Sequence, residues 1–146
     1  LLFMPDLNVY NHQKVILLSA DLCGRLHSSA CKALSVVLRL AKKDSDLHGL
    51  DEVEVSFVDD DTIADLHLQY MQIPGPTDVI TFGHGEIHIS VETARSQASE
   101  YANDFERELM LYIVHGLLHL AGYDDATDKQ SAIMDDLQSS ILAKVW

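Results

Sequence analysis

The chain has 146 residues, 47% of them hydrophobic and 23% charged, and a formal net charge of −13. This is the balance of one globular domain, residues 1–146, large enough to bury a core without disulfides or a structural metal. No stretch approaches 18 consecutive apolar residues, which excludes a membrane-spanning helix. With 10 Lys and Arg against 23 Asp and Glu, nucleic acid is repelled unless a basic patch or a bound cation reverses the field locally.

Leu1 to Leu7 is apolar but short, has no basic leader and is interrupted by Pro5 and Asp6. It does not read as a signal peptide, and a cytoplasmic location is expected. Leu7 to Gln13 and Lys14 to Leu18 read as extended, with Ser19 or Asp21 as the N-cap of a following helix. Leu22, Leu26, Ala30, Ala33, Leu34, Val37 and Leu38 recur at helical spacing and carry that helix to about Ala41. Its Arg25, Lys32, Arg39 and Lys43 form one basic stripe, read as a solvated face. Cys23 and Cys31 lie on the same helix, more than two turns apart, and read as free thiols of a reducing compartment.

Lys42 to Leu50 reads as a loop. Glu52 to Val58 alternates as a half-buried strand, and Asp59-Asp60-Asp61-Thr62 offers N-cap choices for a helix to about Tyr70. Pro74, Gly75 and Pro76 break the chain, and Asp78–Phe82 and Glu86–Ser90 flank the turn Gly83-His84-Gly85 as a hairpin. Helices follow over Val91 to about Tyr101, Asp104 to Ala121 and Ala126 to Ala143, the last with Ile133, Leu137, Ile141 and Leu142 as its apolar face. The expected class is α/β (α+β): a mixed sheet of about four strands covered by about five helices.

His115 and His119 stand four residues apart on a predicted helix. That step turns the chain about 400° and advances it about 6 Å, so both rings project from one face and can reach one small ion. Gly122 then lets the helix end in a left-handed residue and the chain swing back. Either carboxylate that follows, Asp124 or Asp125, can be carried to the same point. Three protein ligands with a fourth position left open describe a catalytic metal site, here at the end of a central helix. The H-x3-H-x2-G-x2-D spacing equals that of the metzincin proteases, but those enzymes place Glu directly after the first His as general base. This chain has Gly116 there, which argues against a peptidase of that type.

The run His115-Gly-Leu-Leu-His119-Leu-Ala-Gly122-Tyr123-Asp124 resembles the H-G-x-L-H-L-x-G-Y-D-H signature of the bacterial YbeY family, rRNA maturation factors and metal-dependent single-strand endoribonucleases. Pro76-Thr77-Asp78-Val79-Ile80-Thr81-Phe82 resembles its P-T-D-V-L-S-F segment, and Gly85-Glu86-Ile87 is similar to its following strand. Order and spacing agree from about residue 7 onward. The resemblance implies a compact α/β metallohydrolase with one zinc-type ion, Mn²⁺, Co²⁺ or Ni²⁺ being other divalent choices. It also implies ribosomal RNA and the small ribosomal subunit as partners, in maturation of the small-subunit rRNA 3′ end and in ribosome quality control.

Carried over by position, the metal ligands are His115, His119 and Asp125, the last standing where the family has His. His115 and Asp124 are the candidate catalytic residues, and Asp124 is the alternative third ligand. A carboxylate cancels more of the ion's charge than an imidazole, so water is acidified less and harder ions are favoured slightly. Met71 stands where the family has an Arg after the Tyr matching Tyr70, leaving Arg95 or Lys129 to supply cationic help. Thr77, Asp78 and Arg95 are the candidate substrate-binding residues. Glu108, two helical turns before His115, is a candidate general base or hydrogen-bonding partner of a ligand. Alternation places His84, Glu86 and His88 on one face, suited to a groove or a second metal. The alternatives to a nuclease are a ribosome-assembly or RNA-binding factor with little catalysis, and a metallohydrolase of another substrate.

Overall fold

Strand β3 (Val79–Phe82) is the edge of the sheet on which the candidate site is built. The other strands are β1 (Asp6–Asn11), β2 (Glu52–Val58) and β4 (Glu86–Ser90), in the spatial order β1-β2-β4-β3. In this computed structural model, which describes residues 3–146, β1 and β4 both run parallel to β2, and β3 is antiparallel to β4. Leu1 and Leu2, the start of the apolar N-terminal stretch, lie outside the described residues. Among the described residues five α-helices complete the fold: α1 (Ala20–Leu40), α2 (Asp60–Met71), α3 (Val91–Glu100), α4 (Phe105–Leu120) and α5 (Asp128–Val145).

The period-2 pattern sorts the sheet into two faces. Leu7, Val53, Val55, Phe57, Ile87 and Ile89 join the main core on one face, under α1 and α4. Val58 and Ile80 meet Ile63 of α2 on the other, in a smaller cluster bordered by Leu66 and Phe82. Helix α4 is apolar nearly all round, as a helix must be when it packs against α1, α3, α5, β3 and β4 at once. Gly116 permits this approach: a Cβ there would lie 2.7 Å from Cγ2 of Ile87. Position 116 therefore points into the sheet, so a glutamate in the metzincin place would meet the core rather than an ion.

Several boundaries move for physical reasons. Strand β1 ends at Asn11, and Lys14–Leu18 is not a strand. The Gln13 side chain accepts from the Val15 and Ile16 amides and donates to the Ile16 carbonyl, turning the chain, while Leu17 is left exposed. Of the two N-cap choices for α1, Ser19 takes the role and Asp21 falls in the first turn. The 42–50 loop contains a short 3-10 turn at Asp46–Gly49. Helix α2 begins at Asp60 because Asp59 caps it, accepting from the Thr62 amide at 2.8 Å. Asp60 is spent on the Ser90 and Thr93 hydroxyls, which ties α2 to α3. Ser56 is buried rather than solvated, and on α5 it is Met134, not Ile133, that enters the core. Arg25, Lys32 and Arg39 are exposed on α1, whereas Lys43 lies past the helix end at Leu40 and so outside the expected stripe, and the Arg25 guanidinium lies 3.5 Å over the Trp146 ring. Among the described residues no helix is long and apolar enough to cross a membrane.

Candidate metal centre

Helix α4 ends as its sequence dictates. Gly122 takes φ +95°, the left-handed conformation that glycine adopts without penalty. Its amide donates to the His119 carbonyl, and the Tyr123 amide donates to Leu118, the paired bonds of a Schellman ending. The Lys42 amide bonds the Ala121 carbonyl at 2.9 Å, and the Tyr123 hydroxyl donates to the Leu40 carbonyl at 2.7 Å. The end of α4 is thereby fixed to the end of α1, and the following residues fold back over the histidines.

That return delivers the third candidate ligand. His115 Nε2 and His119 Nε2 lie 2.9 Å apart, with Asp125 oxygens 3.5 Å from the first and 3.8 Å from the second. These separations bracket the about 3.4 Å expected between ligand atoms that each sit about 2.1 Å from a tetrahedral ion. Among the described residues this is the one His/Asp cluster whose ligand atoms all lie within 4.8 Å of one another. The rings are half-buried and nearly perpendicular, 4.5 Å between centroids.

The protonation states suit a cation. Gln138 of α5 sits 2.5 Å from Nδ1 of His115. Its amide oxygen accepts from Nδ1, an arrangement that turns Nε2 toward His119 and Asp125 as the nitrogen available to an ion. Burial, then the charge of His115, pushes His119 below its ordinary value against the pull of Asp125 and Asp124, favouring the neutral, ligating imidazole. Two imidazole nitrogens and a carboxylate form a donor set for zinc or another first-row divalent ion. The residues fit the group.

The site opens into a cleft of about 350 Å³. One wall is β3 with Gly83, the other is His115, His119 and Leu120, and Asp46, Met71 and Asp124 complete the lining. Asp124 is thus a cleft residue, while Asp125 joins the histidine pair. Met71 does face the cleft, and among the described residues no lysine or arginine lines it. Asp78 belongs to a separate hollow of about 190 Å³ that it shares with Tyr112, Gln138 and the other side of His115. Its carboxylate accepts from the Val79 amide at 2.8 Å and from the Thr77 hydroxyl at 3.4 Å, so both residues shape the entry to β3. Arg95 is exposed on α3 and lines neither space.

Glu108 does not reach the centre. It is buried and accepts the Tyr112 hydroxyl at 3.2 Å, while burial, aided by Glu108, pushes the Tyr112 phenol well above its ordinary value. Glu86 lies between two histidines of the opposite sheet face, bonding His84 and, at 3.3 Å, His88. Gln138 was not visible to sequence reasoning. It lies 23 positions beyond His115, and only the docking of α5 against α4 brings it there.

Fold and site together define a small mixed α/β protein that carries, among the described residues, one His-His-carboxylate cluster able to hold a metal ion. The family model for endoribonuclease YbeY matches residues 11–146. A protein of that name from Lysinibacillus sphaericus is 34% identical over 149 residues, covering 87% of this chain and 95% of the relative. Another from Acholeplasma laidlawii is 42% identical over 100 residues, covering 63% and 73%. The solution structure of TM1509 from Thermotoga maritima superposes with a TM-score of 0.63 at 29% identity, covering 96% of this chain and 89% of that one. The chain belongs to the endoribonuclease YbeY family.

Proposed function

We propose that this protein is a metal-dependent hydrolase of phosphodiester bonds in single-stranded RNA. Its substrate is ribosomal RNA on the small subunit, in maturation of the 3′ end and in ribosome quality control in the cytoplasm. The observation that carries the reading is the convergence of three candidate ligand atoms, two of them from residues lining an open cleft, in a chain of this family.

His115, His119 and Asp125 would hold one divalent ion, zinc being our choice. Such an ion supplies polarisation of a phosphoryl oxygen and a lowered pKa for water. The chain's own residues do the rest. Gln138 keeps the proton of His115 on Nδ1 and so keeps Nε2 available. Asp124 presents a carboxylate to the cleft, where it accepts a proton from the attacking hydroxyl. Val79, Ile80 and Leu120 add apolar contact beside the polar groups of the cleft.

The test is incubation of metal-loaded protein with an end-labelled RNA containing paired and unpaired segments. Cleavage confined to the unpaired segment, and abolished in His115→Ala, supports the reading. A 2′,3′-cyclic phosphate end assigns the attack to the neighbouring ribose hydroxyl, and its absence assigns it to water. A second reading, an assembly factor with little catalysis, is favoured by one observation: Met71 and two aspartates line a cleft that holds no cationic side chain. Small-subunit binding retained by His115→Ala, with no cleavage by the parent protein, would establish it.

A further inference from the structure

In an acidic chain whose cleft is lined by no lysine or arginine among the described residues, side-chain charge contributes little to holding an RNA strand. The face of the sheet that carries α2 offers a means. The rings of Phe82 and His84 are stacked, 5.5 Å between centroids and 14° from parallel. Tyr70 meets Phe82 edge-on at 5.2 Å, and His88 does so at 5.6 Å from the neighbouring strand. Glu86 bonds both histidines and so fixes the tilt of the His84 ring. Phe82 is half-buried against the α2 cluster, whereas Tyr70 is 56% exposed and the His84 side chain 65%. The stack is thus anchored at one end and open at the other.

Its position matters as much as its composition. Met71 and Gly83 line the cleft of the candidate metal centre, and they are the chain neighbours of Tyr70 and of Phe82 and His84. Strand β3 is the sheet edge, so a chain leaving the cleft passes over one strand to reach the rings. We propose that Tyr70, Phe82 and His84 form a shelf for unpaired nucleobases beside the cleft. There base stacking holds the strand while a flanking phosphodiester lies across the β3 edge, near His115 and His119. This rests on the reading of the chain as an RNA hydrolase.

The charges near the rings sharpen the idea. Glu52, Glu54 and Glu86 border His84 in a shallow hollow and repel phosphate, so the nucleobase, not the backbone, occupies the shelf. A duplex cannot present its base faces, which makes the shelf selective for unpaired strands. The log–log salt slope of binding should be shallower than about −2, because few counterions are released.

The experiment uses metal-free full-length protein and an unpaired RNA octamer with 2-aminopurine at one position, which stacking quenches. The parent protein should bind and quench. Tyr70→Ala and His84→Ala should weaken binding about 5- to 150-fold and lose the quench, and His84→Phe should keep it. Melting temperatures near the parent's separate this from loss of fold. Equal affinity and quench in both alanine variants, a steep salt slope, or no binding by the parent would each overturn the shelf. Cleavage by metal-loaded protein, measured separately, distinguishes the two ideas. Quenching without cleavage leaves the shelf standing and defeats the hydrolase reading, and cleavage unchanged by the ring substitutions does the reverse.

Discussion

Alanine at position 116 tests how tightly the centre is tied to the sheet. In an exposed helix interior Gly→Ala stabilises by about 1 kcal/mol. Here the new Cβ would meet Cγ2, Cδ1 and Cγ1 of Ile87 at 2.7, 2.9 and 3.1 Å. Ile87 is fully buried and cannot swing away. Overpacking of this kind costs about 1–3 kcal/mol, and three contacts on one locked side chain place it at the upper end. The net expectation is a loss of about 1–2 kcal/mol. At roughly 0.3 kcal/mol/K of unfolding entropy for a chain of this size, the melting temperature falls by about 3–6 °C. Chemical denaturation of metal-free protein measures it directly. In an Ile87→Ala background the three closest atoms are gone, and the same substitution should lose its penalty and stabilise by up to about 1 kcal/mol. A Gly116→Ala protein more stable than the parent, or a penalty that survives Ile87→Ala, would refute the packing argument.

Gln138→Leu should weaken divalent-ion affinity about 10- to 100-fold with little change in fold, because Nδ1 of His115 loses its acceptor; calorimetric titration reads this, and Gln138→Glu should restore it. Met71→Arg should raise kcat/KM on unpaired RNA at least about fivefold at low salt, with the gain eroded at high salt. His88 supplies a pH dependence. Burial first of all holds it below its ordinary 6.5, against the pull of Glu86 and with His12 and His84 adding to the depression. The unfolded chain therefore binds the proton more readily, so this contribution to stability is complete above about pH 6.5 and is lost as pH falls below it. His88→Gln should flatten the decline in melting temperature of the metal-free protein between pH 7 and 5.5, and an unchanged slope would count against it.

Much of the site was legible because its grammar is local. The i, i+4 histidines share a face by helix geometry, and Gly122 announces the left-handed ending that swings Asp125 back. The hairpin and the alternation of β2 and β4 were equally readable, since each strand's pattern reports its own two faces. What was missed depends on tertiary approach. Gln138 reaches His115 only when α5 docks. Glu108 shares the histidine face, but seven residues are about 10 Å along the axis, too far to reach the candidate centre. The apolar run at residues 15–18 resembles a strand, yet it has no neighbouring strand to pair with, and Gln13 claims its backbone. The aromatic contacts of Tyr70 with Phe82 cross from α2 to β3, which no periodicity encodes.

The most direct test of the account titrates a divalent ion into metal-free protein and its Asp125→Ala variant, then assays both preparations on the same unpaired RNA. The account predicts one ion per parent chain, a marked loss of affinity in the variant, and RNA cleavage that rises and falls with occupancy. Equal ion binding by the two proteins, or cleavage indifferent to the ion, would contradict it.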